Sequence, residues 1–303
     1  WNDQLYATSR AGVFLELPQQ QAGVGNNFKT LDWTHQEAWK VFPLNAEEML
    51  FAESHYAYLV TRDGERTQLT DIIYPRDFLA SQYHPNQIYM LTELDTRVLL
   101  REGEQWRDWV VAPGKPNSVI ELTADTLLIT TVEGRFFKVV LNDELSAVEA
   151  TVEMHHQAGM SAKEISQLVL YPGPNKSVIG VTQEKFYQFT NNELQPSDLD
   201  GLQQLVSPKD ISGMGTNPDG QVWAHSSTQL FILNDDQQWQ VIDATDYLQG
   251  GIYDVEFLAD QVKVSSNSVI LSYLLDQRHV AEEVTGKMMI TAASLTPKDG
   301  SSP

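Results

Sequence analysis

Residues 217–233, NPDGQVWAHSSTQLFIL, decide the fold class. The tripeptide Pro218-Asp219-Gly220 is typical of a tight turn. The short apolar run that contains Trp223 predicts a β-strand, and the polar break after it predicts a turn into a second strand that opens with Leu230-Phe231. The stretch therefore indicates a β-hairpin, and its recurrence along the chain would define the architecture.

The same pattern occurs seven times in the 303-residue chain. The copies are DQLYATSRAGVFLEL from Asp3, EEMLFAESHYAYLV from Glu47, NQIYMLTELDTRVLL from Asn86, DTLLITTVEGRFFKVV from Asp125, KSVIGVTQEKFYQF from Lys176, GQVWAHSSTQLFIL from Gly220 and DQVKVSSNSVILSYL from Asp260. Their first apolar residues lie about 43 positions apart on average, a length typical of a four-stranded propeller blade. The repeat predicts an all-β chain, a seven-bladed β-propeller of four-stranded antiparallel blades.

An extended run precedes most copies, and we expect it to be the innermost strand of each blade. These runs are 39–43, 78–82, 118–122, 165–170, 211–214 and 252–257. The first copy has no such run before it, but residues 290–300 have the pattern of one. We therefore expect the ring to close by pairing of the N- and C-terminal strands, and residues 1–303 to form a single domain.

Helical signals are few. Residues 45–54 have helical propensity, but their position in the repeat favours a strand. A short helix is predicted around 161–165, with Ser161 as its N-cap and Glu164 completing a capping box.

Two copies carry the features of a known repeat: an Asp-Gly turn at Asp219-Gly220, Trp223 close behind it, and an apolar second strand with Leu230-Phe231; the first copy keeps Trp1 and Gly12-Val13. This pattern resembles the two-component regulator propellers, the periplasmic sensor domains of bacterial hybrid kinases and some diguanylate cyclases. The resemblance implies a periplasmic ligand-sensing or docking domain of a signalling protein. It implies no conserved catalytic residues.

Composition limits the kinds of partner. The chain has 41 acidic and 20 basic residues, a formal net charge of -21, so nucleic acid is not an expected partner. Cysteine is absent, which excludes disulfides and thiolate chemistry.

No apolar run reaches the ~18 residues of a membrane helix, and we expect no direct membrane insertion. The start at Trp1, without a signal peptide, suggests a mature product or an excised fragment of a larger protein.

Motifs for catalysis are not evident. There is no G-x-S-x-G serine motif, and no pair of carboxylates stands out from the acidic background. Adjacent residues of an extended chain point to opposite sides, so the pair His155-His156 favours a solvated loop over a metal site. We expect no enzyme activity, no catalytic residues, no metal and no cofactor. His225 is expected to pack within its sheet.

Candidate ligand- or partner-binding residues lie in predicted turns and interblade loops. They are Arg10, His55, Trp106, Trp109, His155, His156 and Tyr247. The long loops are expected at 105–117, 150–163 and 243–251. The expected partners are a small-molecule or glycan ligand or a periplasmic protein, and the full-length protein could form a homodimer. Two alternatives stay open: a protein-docking scaffold of the cell envelope, and a propeller lyase or hydrolase.

Overall fold

A computed structural model describes most of the chain. The described residues are 6–9, 12–16, 28–30, 38–71, 73–142, 147–154, 160–199, 201–217, 220–234, 236–245, 251–257, 261–265 and 270–274. Across these ranges, none of the helices has the length and apolar character needed to cross a bilayer.

The chain is built from short β-strands. The strands up to residue 113 are β1 (Tyr6–Ser9), β2 (Gly12–Glu16), β3 (Phe28–Thr30), β4 (Ala38–Pro43), β5 (Glu48–Glu53), β6 (Ala57–Thr61), β7 (Arg66–Gln68), β8 (Pro75–Ala80), β9 (Gln87–Thr92), β10 (Asp95–Glu102) and β11 (Gln105–Pro113). Those that follow are β12 (Pro116–Thr123), β13 (Thr126–Thr131), β14 (Phe136–Leu141), β15 (Val148–Glu153), β16 (Val169–Pro172), β17 (Val178–Val181), β18 (Phe186–Thr190), β19 (Glu193–Ser197), β20 (Gly213–Thr216), β21 (Val222–His225), β22 (Gln229–Leu233), β23 (Trp239–Asp243), β24 (Asp254–Phe257), β25 (Gln261–Ser265) and β26 (Ile270–Leu274). Two short helices interrupt them, α1 (Ala162–Ile165) and α2 (Leu202–Leu205).

Consecutive strands pair into small meander sheets, the blade pattern of an all-β propeller. Five sheets have four strands: β4–β7, β8–β11, β12–β15, β16–β19 and β20–β23. The sheets β1–β3 and β24–β26 have three strands each within the described residues. The prediction of seven four-stranded blades is therefore wrong, because sequence periodicity locates the hairpins and does not count the strands around each one. The C-terminal strand expected at 290–300 lies outside the described residues.

The hairpins follow the predicted repeat. Each predicted copy contains a pair of antiparallel strands, from β1 and β2 to β25 and β26. Residues 48–53 form β5 despite their helical propensity, because five of its six side chains are buried between neighbouring strands. The helix α1 begins after Ser161, whose side chain accepts from the Glu164 amide while the Glu164 carboxylate accepts from the Ser161 amide. The predicted capping box is confirmed.

Two boundaries differ from the prediction. The extended run expected at 165–170 starts later, because Ile165 ends α1 and β16 begins at Val169. Residues 105–117 were expected to be a long loop, but 105–113 form β11, a nine-residue strand paired along its length with β10. Aromatic and β-branched residues in this segment suit a strand that packs on both faces.

The chain divides into two compact units. The first contains residues 1–16, 29–171 and 177–197, and the second contains residues 17–28, 172–176 and 198–303. The prediction of one domain over residues 1–303 stays a prediction.

The first unit has its core where neighbouring sheets face each other. One cluster joins Leu50 of β5 to Phe78 of β8 and Met90 of β9. Another joins Tyr89 of β9 to Leu127 of β13 and Phe137 of β14. Because both faces of the middle strands are covered, all six side chains of β13 are buried. Burial of these apolar faces is the main stabilising contribution to the sheets.

In the second unit, two glycines of β20 accommodate two rings of β21. A β-carbon added at Gly213 would lie 2.4 Å from His225 Nε2, and one at Gly215 would lie 2.9 Å from the Trp223 ring. The two rings stack with centroids 6.1 Å apart. His225 is 3% exposed, and burial lowers its pKa. The expected packing of His225 within its sheet is confirmed.

Replacing Gly213 with alanine is expected to destabilise the second unit by about 1–3 kcal/mol, because the new methyl group overlaps the His225 ring. A double-mutant cycle with His225→Ala checks the cause, since removing the ring makes room for the methyl group. Urea denaturation of the four proteins should show a double mutant less destabilised than the sum of the single ones. If the stability losses of the two single mutants simply add in the double mutant, the overlap with the His225 ring is not the cause.

Candidate functional site

Three successive sheets of the first unit share a β-bulge at the same position of their first strand. The pairing register skips one residue between Ala38 and Lys40 in β4, between Pro75 and Asp77 in β8, and between Pro116 and Ser118 in β12. The extra residues are Trp39, Arg76 and Asn117. The first strands of the second unit, β20 and β24, pair without such a shift. A bulge bends its strand and redirects a side chain, and bulges are common beside functional sites.

The bulges bring Trp39 and Arg76 together on the surface. The indole is 43% exposed, and the Arg76 guanidinium carbon lies 5.8 Å from its ring centroid. The neighbouring residues Lys40 and Asp77 form an ion pair at 3.6 Å, which ties β4 to β8 at this end. Asn117, the third bulge residue, instead donates to the Ser166 carbonyl at 2.8 Å. The exposed part of this arrangement is therefore an aromatic ring beside a cation.

A carboxylate links two cations next to this ring. Glu93, in the turn after β9, pairs through Oε1 with Arg76 at 2.9 Å and through Oε2 with Lys115 at 2.6 Å. Lys115 follows Gly114, which has φ +93° and donates its N–H to the Leu94 carbonyl. The left-handed conformation is one that glycine adopts at no steric cost. The turn before β12 thereby places the lysine amine over the neighbouring turn.

His55 and Tyr74 extend the same surface. The His55 carbonyl accepts from the amides of Ile73 and Tyr74, and the Tyr74 carbonyl accepts from the amide of Glu93. The His55 and Tyr74 rings lie 5.1 Å apart. Tyr74 is 39% exposed and has φ +52°, an uncommon conformation for a bulky residue that is concentrated at functional sites.

We call the residues Trp39, His55, Tyr74, Arg76, Glu93 and Lys115 the bulge surface. All six belong to the first unit. They come from the sheets β4–β7 and β8–β11 and from the turn before β12. The bulge surface presents rings, two cations and one carboxylate to solvent. Such a set can bind a ligand by stacking and ion pairing.

The structure places the predicted site residues in different environments. His55 lies in the turn after β5 and belongs to the bulge surface. Trp106 and Trp109 lie on β11, where Trp106 packs against the cluster around Leu50 and Trp109 against the cluster around Tyr89. Three positions apart on a strand, they point to opposite faces. Both are half-buried, and their indole N–H groups have no acceptor within the part of the chain that is described.

The remaining candidates, Arg10, His155, His156 and Tyr247, lie outside the described residues. The loop segments 150–163 and 243–251 are described only in part, with β15 and α1 covering portions of the first. The binding roles assigned to these residues stay predictions.

Sequence reasoning missed Trp39, Arg76, Glu93 and Lys115. Trp39 was expected at the start of an innermost strand, but no residue type marks the bulge that redirects it. The weak signal is positional, since Trp39 and Arg76 each lie about ten residues upstream of the first apolar residue of a copy, at the entrance to a blade. Their proximity depends on how consecutive sheets pack.

Within the described ranges, no group of three histidine or acidic side chains could hold a metal ion. The six residues of the bulge surface include no serine or threonine. The arrangement supports recognition of a ligand.

Comparison with known proteins supports the fold. No protein-family model and no curated protein matches the sequence. Among solved structures, PorZ, an essential bacterial surface component of the type-IX secretion system of Porphyromonas gingivalis, is similar with a TM-score of 0.64 and 13% identity over 98% of this chain. The extracellular domain of the hybrid two-component system BT4673 of B. thetaiotaomicron has a TM-score of 0.60 and 11% identity over 91% of this chain. A streptogramin B lyase has a TM-score of 0.54 and 11% identity over 80% of this chain and 84% of its own.

The chain spans 37% of the PorZ chain and 46% of the BT4673 chain. Similarity at these identities shows the β-propeller fold alone, because one fold hosts many functions.

Proposed function

We propose that this chain is a non-catalytic, periplasmic ligand-sensing or interaction domain of a bacterial signalling protein, and that it binds its ligand at the bulge surface. The observation that carries the proposal is the bulge shared by β4 and β8, which brings Trp39 beside Arg76. The Trp39 side chain is 43% exposed, so part of its ring is accessible to a ligand.

The chemistry of the surface supports binding. Exposed aromatic rings provide large, rigid contact areas that lose little conformational entropy on binding. Charged side chains lie beside the rings and can form ion pairs with a ligand; they are Arg76, Glu93 and Lys115. The structural likeness to an extracellular domain of a hybrid two-component system and to a secretion-system surface component is consistent with a location outside the cytoplasm.

Signalling requires more than binding. A ligand shifts an equilibrium between two states only if it has different affinity for them. The bulge surface combines two sheets with the turn that leads into a third, so a ligand that contacts several of these segments would favour one arrangement of the sheets over others. This is the simplest route by which binding could change the packing of a downstream domain.

A ligand screen with a single substitution tests the proposal. Periplasmic glycans and peptides are added to the protein, and ligands that raise the melting temperature are measured by calorimetry. The variant Trp39→Ala is expected to bind them at least about tenfold more weakly, because it removes the largest contact of the surface. Tyr253→Ala, which removes a side chain that is 65% exposed in the second unit, is the matched control.

The control variant is expected to bind like the wild type. Ligands that bind equally well to the wild type and to Trp39→Ala would contradict the bulge surface as the site. A broad screen in which no compound binds would contradict the sensing function.

A further inference from the structure

The geometry points to an acidic sugar as the ligand: we propose that the bulge surface binds a uronic acid residue of an oligosaccharide. The sugar ring would stack on Trp39, and its carboxylate would pair with Arg76 and Lys115. This inference rests on the proposed function and names the chemical class of ligand for the same site.

The first argument is that the two cations already bind a carboxylate. Each oxygen of Glu93 contacts one cation, Arg76 at 2.9 Å and Lys115 at 2.6 Å. The two cations come from different segments, one at the start of β8 and one before β12, and their spacing matches the two oxygens of a single carboxyl group. Glu93 therefore occupies the position that a ligand carboxylate would take.

The second argument is that Glu93 can be displaced. All three side chains of this group are partly exposed, and exposed ion pairs contribute little to stability. Within the described residues, neither cation donates an aligned side-chain hydrogen bond to Glu93, whereas Arg101 donates two to Glu48 elsewhere in this unit. Displacement of Glu93 breaks two partly exposed ion pairs, and an incoming carboxylate forms two ion pairs with the same cations in their place.

The third argument concerns the ring beside the cations. The axial C–H groups of a pyranose are apolar and carry partial positive charge, so they pack well on the negative face of an indole. Trp39 is 43% exposed and its ring lies 5.8 Å from the Arg76 guanidinium carbon. The Arg76 guanidinium lies over one face of the indole, so a sugar that stacks beside it on this face brings the carboxylate at its ring edge next to the guanidinium.

The net charge of the chain does not prevent anion binding. The formal charge is -21, but salt screens exposed charges beyond about 8 Å at physiological ionic strength. The charged groups next to the ring and to Glu93 include Lys40, Arg76, Lys115 and Asp77. Glu133 is a further carboxylate at this place, and it accepts from the Lys115 amide. Displacement of Glu93 leaves the side chains of Arg76 and Lys115 available to a ligand carboxylate.

The test compares trigalacturonate with its fully methyl-esterified, neutral form by isothermal titration calorimetry. The acid is expected to bind at least about tenfold more tightly, because each charged hydrogen bond or ion pair to the carboxylate is lost in the ester. Arg76→Gln and Trp39→Ala should each weaken binding of the acid by about tenfold or more. Arg62→Gln, which removes an exposed arginine paired with Glu47 at 3.4 Å, should leave it unchanged.

The variant Glu93→Gln gives the sharpest result. Removing the internal carboxylate should tighten binding of trigalacturonate by about threefold or more, since it abolishes both competition and like-charge repulsion. A variant that gains affinity cannot owe the change to misfolding.

The outcomes separate this inference from the function on which it rests. Equal, Trp39-dependent binding of the acid and the ester would overturn the acidic-sugar inference and leave the proposed function standing. No binding of trigalacturonate, or unchanged binding in Arg76→Gln, would also overturn the inference. The proposed function itself fails only if the wider screen finds no Trp39-dependent ligand.

Discussion

Replacing Gly134 with alanine is expected to lower the free energy of unfolding by about 2–5 kcal/mol. Gly134 lies in the turn between β13 and β14 with φ +80°. An added β-carbon would lie 2.3 Å from the carbonyl oxygen of Ala162, the first residue of α1. The substitution therefore combines left-handed strain with a clash against backbone, which cannot rotate out of the way as a side chain could.

Gly103→Ala separates these two causes. Gly103 has φ +67°, but a β-carbon added there would meet no atom within 4 Å apart from its own chain neighbours. This control should lose only the strain energy, about 1–2 kcal/mol. Urea denaturation followed by tryptophan fluorescence measures both variants. If both variants lose the same free energy of unfolding, α1 moves away from the new methyl group at position 134, and the clash with Ala162 contributes nothing.

Replacing Glu121 with alanine is expected to cost about 3 kcal/mol or more, because it leaves buried donors without an acceptor. Glu121, on β12, is 8% exposed. It accepts from Ser81 Oγ at 2.5 Å, from the Gln82 amide at 2.5 Å and from the Tyr89 hydroxyl at 2.6 Å. All three donors belong to the neighbouring sheet or its turn, so this one side chain joins two sheets.

Of these three donors, the Tyr89 hydroxyl depends most on the Glu121 carboxylate. Tyr89 is almost fully buried, and burial together with the hydrogen bond to Glu121 raises its pKa. The hydroxyl therefore keeps its proton and needs an acceptor in the interior. Without the Glu121 side chain, the Tyr89 hydroxyl has no acceptor at this position and lies next to a cavity.

Glu104→Ala is the matched control for this prediction, since Glu104 is exposed on a turn of the neighbouring sheet. Substitutions at such surface positions change stability by about 0.5 kcal/mol or less. Thermal unfolding of both variants checks the difference. A melting temperature of Glu121→Ala equal to that of Glu104→Ala would show that water replaces the lost acceptor without cost.

The positions of the hairpins were predictable because their causes are local. Turn residues such as Asp219 and Gly220 and alternating apolar residues act within a few positions of one another. The capping box of Ser161 and Glu164 is equally local, and it was predicted correctly. The number of strands in each sheet was not predictable in this way, since outer strands are short and their pairing depends on neighbours.

The candidate site likewise combines residues that local sequence predicts with residues whose position depends on how the strands pair. His55 was found because it lies in a predicted turn between two strands. Trp106 and Trp109 were expected in a loop, but the segment pairs with β10 as a strand, and both rings pack on its faces. The burial of an aromatic residue depends on what faces it across a sheet, and sequence spacing does not contain that information.

By itself, the sequence determined an all-β chain of repeated hairpins, the absence of cysteine chemistry and a strongly acidic surface, because these depend on composition and on contacts between near neighbours. Only the tertiary structure decided that Trp39, Arg76, Glu93 and Lys115 meet. They are separated by up to 76 positions, and a bulge of one residue in each of two strands turns Trp39 and Arg76 toward the same surface. Since a one-residue change in register reverses the side to which a side chain points, the site exists only once the strands have paired.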